Sequence, residues 1–165
     1  MKVLVWNENI HEKETPRVTE IYHGGLHQYI ASFLKSDDLE VSTATLDDEE
    51  CGLTDDVLRE TDVLVWWGHM GHNRVPDEIV DRVHRYIMSG MGLIVLHSGH
   101  HSKIFRKING TTCNLKWRDG AKERIWTIKP NHPIAEGVDE TFALECEEMY
   151  GEPFDIAEPM ETVFM

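Results

Sequence analysis

Short apolar runs separated by helical patterns constrain the fold of this chain more than any other feature of its sequence. Three runs rich in valine, leucine, isoleucine and tryptophan lie at residues 3–6, 63–67 and 93–96, and a weaker, threonine-rich run lies at residues 41–46. Runs of this length suit strands that are buried on both faces, as in parallel sheets. We therefore predict that the first three runs form adjacent central strands of one sheet.

Helical patterns fill the segments between these runs. Leu26, Ile30, Phe33 and Leu34 follow a helical stripe, and further helix starts are predicted near Thr54, Pro76 and Ser102. This alternation predicts an α/β fold with a doubly wound, mainly parallel sheet and helices on both faces.

Beyond residue 110 the patterns are weaker. Residues 124–128 and 142–144 are predicted as strands, the acidic segment 145–148 as a solvated loop, and residues 162–165 as the start of a strand. No linker composition interrupts the sequence, so a single domain is predicted over residues 1–165.

Charge and cysteine usage limit the classes of partner. Sixteen basic and thirty acidic residues give a formal net charge of −14, which repels phosphate backbones and anionic lipid. We therefore expect neither a nucleic-acid nor a membrane partner. Three cysteines without a CxxC spacing predict free thiols in a reducing cytoplasm, and the apolar N-terminal run is too short for a signal peptide.

Histidines collect where the predicted strands end. His69 and His72 follow the second run, and His97 and His100 follow the third. Neighbouring parallel strands lie about 4.8 Å apart and share one carboxyl edge, so these side chains are expected to converge on one crevice. Asn7 and Glu8 end the first run, and His27 near the first helix could overhang the same edge.

Three kinds of chemistry remain open for this crevice. Histidines with a carboxylate could hold a divalent metal, with zinc favoured, and leave one coordination position open. The candidate metal ligands are His69, His72, His97 and His100. Alternatively, metal-free histidines could act as general acid and base with Glu8 or Glu148, or the histidines could be hydrogen-bonded polar residues without chemistry.

Other residue types near the strand ends carry weaker signals. Ser98 lies at the turn where a nucleophile elbow would lie, but Leu96 and His100 replace the glycines of that motif. A capping or backbone-bonding serine is therefore favoured. One ring of the Trp66-Trp67 pair could stack on a sugar, and Tyr150 could bring its hydroxyl into the crevice.

Five segments together resemble the ThuA-like (trehalose utilisation) family. They are residues 5–8, 66–69, 92–100, 132–134 and 147–152, and the resemblance extends over essentially all 165 residues. It implies a flavodoxin-like fold of the class I glutamine amidotransferase type and a role in the use of trehalose or related disaccharides. It also implies a candidate site at Glu8, His69, His72, His97, His100 and Glu148.

Two departures from the family pattern qualify this resemblance. The turn that carries a cysteine in amidotransferases carries His97-Ser98 here, so glutaminase activity is not expected. Family members usually continue past residue 165, so a truncated domain is expected, with lower stability and a tendency to self-associate as a homo-oligomer.

The leading functional hypothesis is a carbohydrate-metabolism enzyme that acts on a disaccharide or its derivative, with a metal as one option. The alternative is a non-catalytic ligand-binding or regulatory domain that keeps the crevice. The residues assigned to catalysis are Glu8, His97 and Glu148. Those assigned to binding of a small-molecule carbohydrate are Asn7, His27, Trp67 and Tyr150.

Overall fold

The computed structural model of this chain describes residues 1–165 and divides into two units. The first unit is built on a parallel sheet of four strands. The strands are β1 (Lys2–Asn7), β2 (Glu40–Thr45), β3 (Val63–Trp67) and β4 (Gly92–Leu96). Their order is β2-β1-β3-β4, and all three pairings are parallel. The first unit spans Met1–Gly110, and the second spans Thr111–Met165. The single domain predicted over residues 1–165 stays a prediction.

At least one helix follows each of the four parallel strands, as the alternating pattern predicts. They are α1 (His11–Glu14), α2 (Pro16–Ile21), α3 (Leu26–Leu34), α4 (Asp55–Arg59), α5 (Asp77–Met88) and α6 (Lys103–Asn109). Two predicted caps are present, because Thr54 accepts the amide proton of Val57 and Ser102 accepts that of Phe105. None of these helices is long and apolar enough to cross a membrane.

The alternating side chains of β1 enter two separate cores, one on each face of the sheet. Val3 and Val5 pack with Ile30 and Ala31 of α3. Leu4 and Trp6 belong to the opposite core, which draws its helical residues from α4, α5 and α6. The indole rings of Trp6 and Trp66 stack within this core with centroids 3.9 Å apart. Helices on both faces of a parallel sheet confirm the predicted doubly wound α/β class.

One part of the prediction for the parallel sheet was wrong. Residues 93–96 are not a central strand, because β4 pairs only with β3 and forms an edge of the sheet. Leu93 and Val95 pack against one core and Leu96 against the other, while Ile94 is 50% exposed. The apolar composition of the run therefore does not indicate its place in the strand order. Phe33 lies in the predicted helix α3, and its side chain is 64% exposed.

The second unit is built on an antiparallel pair of long strands, β5 (Lys116–Trp126) and β6 (Thr141–Gly151). The acidic segment 145–148 therefore lies in a strand and not in the predicted loop. Cross-strand pairing explains the error, because Lys122 of β5 forms an ion pair with Glu145. The final residues also pair, since the backbones of Met165 and Trp126 exchange two hydrogen bonds of 2.7 and 3.0 Å.

Candidate functional site

The carboxyl ends of β1, β3 and β4 place the candidate residues of the first unit. The parallel register aligns Asn7 with Trp67, and Trp67 with Leu96. The residues that follow each strand therefore emerge at one edge, as predicted from the strand ends.

Glu8 fastens the turn that follows β3. Its carboxylate is 1% exposed and accepts backbone hydrogen bonds from Met70 (2.5 Å) and Gly71 (2.8 Å). Gly68 leaves room for this contact, because a Cβ there would lie 3.3 Å from both Glu8 Oε2 and His72 Nδ1. A buried carboxylate that accepts two amide protons holds the loop 68–71 in a defined position.

Five histidines gather at this edge, and we call them the carboxyl-edge cluster. Its members are His11, His69, His72, His100 and His101. The His69 ring stacks near His11 at 5.1 Å and near Trp67 at 6.0 Å between centroids. The His101 ring lies 3.9 Å from that of His100 and 6.3 Å from that of His72. The cluster unites three predicted metal ligands, and His11 joins them from α1.

His72 is held in its neutral form. Burial lowers its pKa to about 4, and the opposing attraction of Glu8 is weaker than this desolvation. Charges on His101, His69 and His100 would lower the pKa of His72 further. Its Nδ1 atom is buried and has no hydrogen-bond partner. A neutral imidazole in this setting can accept a hydrogen bond at physiological pH.

A second set of hydrogen-bonded polar side chains joins Asn7 to the start of α3. The Asn7 amide nitrogen lies 2.6 Å from Glu12 Oε1 and 3.1 Å from His27 Nδ1. Glu12 Oε1 also accepts the amide proton of Leu26 at 2.9 Å. All of these polar side chains are buried, and burial lowers the pKa of His27, which keeps that ring neutral. Gly25, at φ +92°, allows this arrangement because a Cβ there would lie 2.5 Å from the His27 ring.

The turn after β4 presents His97 and Ser98. His97 has φ +45°, a left-handed conformation that costs energy for a residue with a Cβ. Strain of this kind is concentrated at functional turns. Ser98 is buried and hydrogen-bonds to the carbonyl oxygen of Gly68 at 3.0 Å, as the backbone-bonding interpretation predicts. Its hydroxyl oxygen also lies 3.1 Å from His69 Nδ1.

The remaining predicted site residues belong to the second unit. Glu148 and Tyr150 lie on β6. Burial, with a contribution from the Glu148 charge, raises the pKa of Tyr150 to about 12. That hydroxyl therefore stays protonated at neutral pH. Their predicted roles in the crevice stay predictions.

Sequence reasoning did not include His11 and Glu12 among the site residues. Both lie in α1, three and four residues beyond Glu8, and this spacing after the first strand was the signal that could have found them. The Glu12 side chain returns to the end of β1, where its Oε1 atom accepts a hydrogen bond from the Asn7 amide.

The metal-ligand prediction does not fit this structure. No group of three or more histidine, cysteine, aspartate or glutamate side chains is arranged to hold a metal ion. The histidine rings of the cluster contact one another. The buried carboxylate of Glu8 beside them already accepts two backbone amide protons. Zinc needs about four donors converging on one point.

A doubly wound α/β unit with a polar cluster at the carboxyl ends of its strands defines a familiar class, in which ligands bind at that edge. The sequence matches the ThuA family, described as trehalose utilisation, over residues 2–165, and the chain belongs to that family. It is thus a protein of the trehalose-utilisation type. Among curated proteins, none matches the sequence.

Two solved structures share the fold. A ThuA-like protein from Bacteroides uniformis superposes with a TM-score of 0.64 at 15% identity, over 91% of this chain and 60% of the other. A ThuA-like protein from Parabacteroides merdae gives a TM-score of 0.52 at 14% identity, over 90% of this chain and 61% of the other. The chain thus spans about three fifths of the length of these proteins. The glutamine amidotransferase-like variant of the fold stays a prediction.

Proposed function

We propose that this protein acts on a disaccharide or a disaccharide derivative through histidine acid–base chemistry at the carboxyl-edge cluster. The observation that carries the proposal is the gathering of several imidazoles around His72, which burial keeps neutral with a pKa of about 4. Sugars offer hydroxyl groups, and reactions at these groups need a proton acceptor and a proton donor. The description of the family, trehalose utilisation, supports a disaccharide as the substrate class.

Imidazole suits this chemistry because it titrates near neutral pH and carries one donor and one acceptor nitrogen when neutral. The neutral ring of His72 can accept a hydrogen bond from a sugar hydroxyl group, because burial keeps it unprotonated. Proton transfer falls to the other imidazoles of the cluster, since an ordinary imidazole titrates near neutral pH. Trp67 lies beside His69 and is half-buried, so its indole adds an apolar surface on which a sugar ring can stack. The strained backbone of His97 supports its predicted catalytic role at the same edge.

Proton NMR of the sugar during incubation with purified protein tests this proposal without assuming a product. Trehalose, maltose and sucrose are supplied separately, and calorimetry measures binding of each. We expect at least one sugar to bind and to change chemically. Absence of both binding and conversion for all three sugars would contradict the proposal.

Two histidine variants locate the activity. His69→Ala removes a central ring of the cluster, and we expect at least tenfold loss of conversion. His23→Ala is the matched control, because His23 is exposed and its ring nitrogen contacts only the Thr19 carbonyl among the bonds described for it. Protein dialysed against EDTA is assayed in parallel. Loss of activity on dialysis with recovery on adding zinc would favour the metal-dependent hypothesis instead.

A non-catalytic binding domain is the second candidate. The observation that favours it is the engagement of Glu8, since both carboxylate oxygens accept backbone amide protons and the side chain is almost fully buried. Glu8 then supports the loop and does not transfer protons. Binding of a disaccharide in calorimetry with no chemical change in the NMR assay would select this candidate.

A further inference from the structure

The positions of the ring protons on His69 and His27 determine which nitrogen of each ring can accept a hydrogen bond. The inference from them rests on the proposed function and deepens it. Each neutral imidazole has one N–H donor and one bare acceptor nitrogen, and its hydrogen-bond partners select between the two tautomers. Both rings contact buried side chains whose own donors and acceptors can be assigned from the structure.

Ser98 determines the proton position on His69. A serine hydroxyl has a single proton, and the Ser98 hydroxyl faces the carbonyl oxygen of Gly68 at 3.0 Å. A carbonyl oxygen only accepts, so that proton belongs to the bond with Gly68. The Ser98 oxygen can then only accept from His69 Nδ1, which lies 3.1 Å away. His69 therefore carries its proton on Nδ1, and Nε2 becomes its acceptor nitrogen.

Asn7 determines the proton position on His27. The Asn7 carbonyl oxygen accepts the backbone amide proton of Asn9 at 2.9 Å, which fixes the orientation of the side-chain amide. The amide nitrogen then has two protons, of which one goes to Glu12 Oε1 at 2.6 Å. The other points to His27 Nδ1 at 3.1 Å. His27 Nδ1 is therefore an acceptor, and its proton lies on Nε2.

We propose that Ser98 and Asn7 are positioning residues that hold His69 and His27 in opposite tautomers, with the proton on Nδ1 in His69 and on Nε2 in His27. Glu12 supports Asn7 by accepting its second amide proton. The basic nitrogen of the neutral His69 ring is therefore Nε2, and the N–H donor of the neutral His27 ring is its Nε2.

Long-range proton–nitrogen NMR on the full chain at neutral pH tests the inference, because a protonated ring nitrogen and a bare one resonate in separate regions. Histidine signals are assigned with single His→Gln variants. We expect His69 as the Nδ1–H tautomer and His27 as the Nε2–H tautomer. His69 found with its proton on Nε2, or His27 with its proton on Nδ1, would overturn the inference.

Variants of the two positioning residues add a second measurement. Ser98→Ala should convert His69 to a mixture of tautomers, Ser98→Thr should restore the Nδ1–H form, and Ser32→Ala on α3 should change nothing. Asn7→Asp replaces the donor with an acceptor, so His27 should move its proton to Nδ1. A Ser98→Ala protein that keeps the pure Nδ1–H form would contradict the role of Ser98, and the wild-type spectrum decides if a variant does not fold.

The tautomer measurement and the sugar assay can reject the inference and the proposed function independently. The spectra need no ligand, so the expected tautomers can be found in a protein that binds no disaccharide, and the proposed function alone would then be rejected. Conversion of a sugar by a protein whose tautomers are reversed would reject only the inference.

Discussion

Glu8 shows at the scale of a single residue how a buried carboxylate can hold a loop of the candidate site in place. Glu8→Gln keeps the shape but removes the charge and places an amide group against a backbone N–H. Loss of a charge-assisted bond and a buried mismatch should lower the free energy of unfolding by about 2–3 kcal/mol. Urea denaturation measures this, with Glu14→Gln on the exposed side of α1 as the control. Equal stability of the two variants would contradict the role of the Glu8 carboxylate in holding the loop 68–71.

His72 gives the second residue-scale prediction, a pH dependence of stability. Its folded pKa of about 4 lies below the ordinary value of 6.5, because burial disfavours the charged ring. The stabilisation is therefore complete above pH 6.5 and is lost as the pH falls toward 4, since the unfolded chain binds the proton first. The loss should be on the order of 2 kcal/mol after allowance for partial exposure. His27, whose pKa is lowered in the same direction, adds to it.

Thermal melts between pH 7 and pH 4 check this expectation. His72→Gln should flatten the pH dependence of Tm, and His84→Gln on α5 should leave it as in the wild type. An unchanged pH dependence in His72→Gln would show that this ring is not the buried neutral group that the structure indicates.

At the scale of elements, the helix that follows the candidate site depends on its first residue. Ser102 is buried and accepts the amide proton of Phe105 at the N-terminus of α6. Ser102→Ala should cost about 1 kcal/mol in the free energy of unfolding. Ser89→Ala near the end of α5 is the control, because its hydroxyl only adds a bond to an already paired carbonyl of Arg85. A larger loss in the Ser89 variant would contradict the capping account.

Strand existence could be predicted from the sequence, but strand order could not. The runs at β1 and β3 alternate between two cores, so every residue is apolar and the signal is strong. The run at β4 has the same composition although it lies at an edge and none of its residues is fully buried. Composition therefore did not distinguish this strand from the central ones. The strands β5 and β6 are mostly exposed and rich in charge, which is why the acidic segment looked like a loop.

The site shows a similar division. Histidines directly after buried strands could be predicted to meet, because parallel strands deliver them to one edge. The partners of these histidines could not, since the bonds of Glu8 to a loop sixty residues away depend on the folded path of the backbone. The predicted metal site required four donors around one point, a geometry that spacing alone does not determine.

At the scale of the whole molecule, the two units should differ in local stability. The strands β1 and β3 are buried, whereas most residues of β5 and β6 are exposed. A two-stranded ribbon is only marginally stable by itself. Hydrogen exchange should therefore be slowest in β1 and β3 and much faster in β5 and β6. Equal protection of all four strands would contradict this expectation.

Histidine NMR during titration with a disaccharide tests the central claim, that the carboxyl-edge cluster is the ligand site, most directly. Ten histidines are spread over the chain, so they act as built-in reporters. We predict that the ring signals of His69, His72 and His100 shift, while those of His23 and His84 do not. His132 reports on an alternative binding site, because it lines a cleft of about 440 Å³ in the second unit. Shifts confined to His132, with the cluster unchanged, would contradict the account.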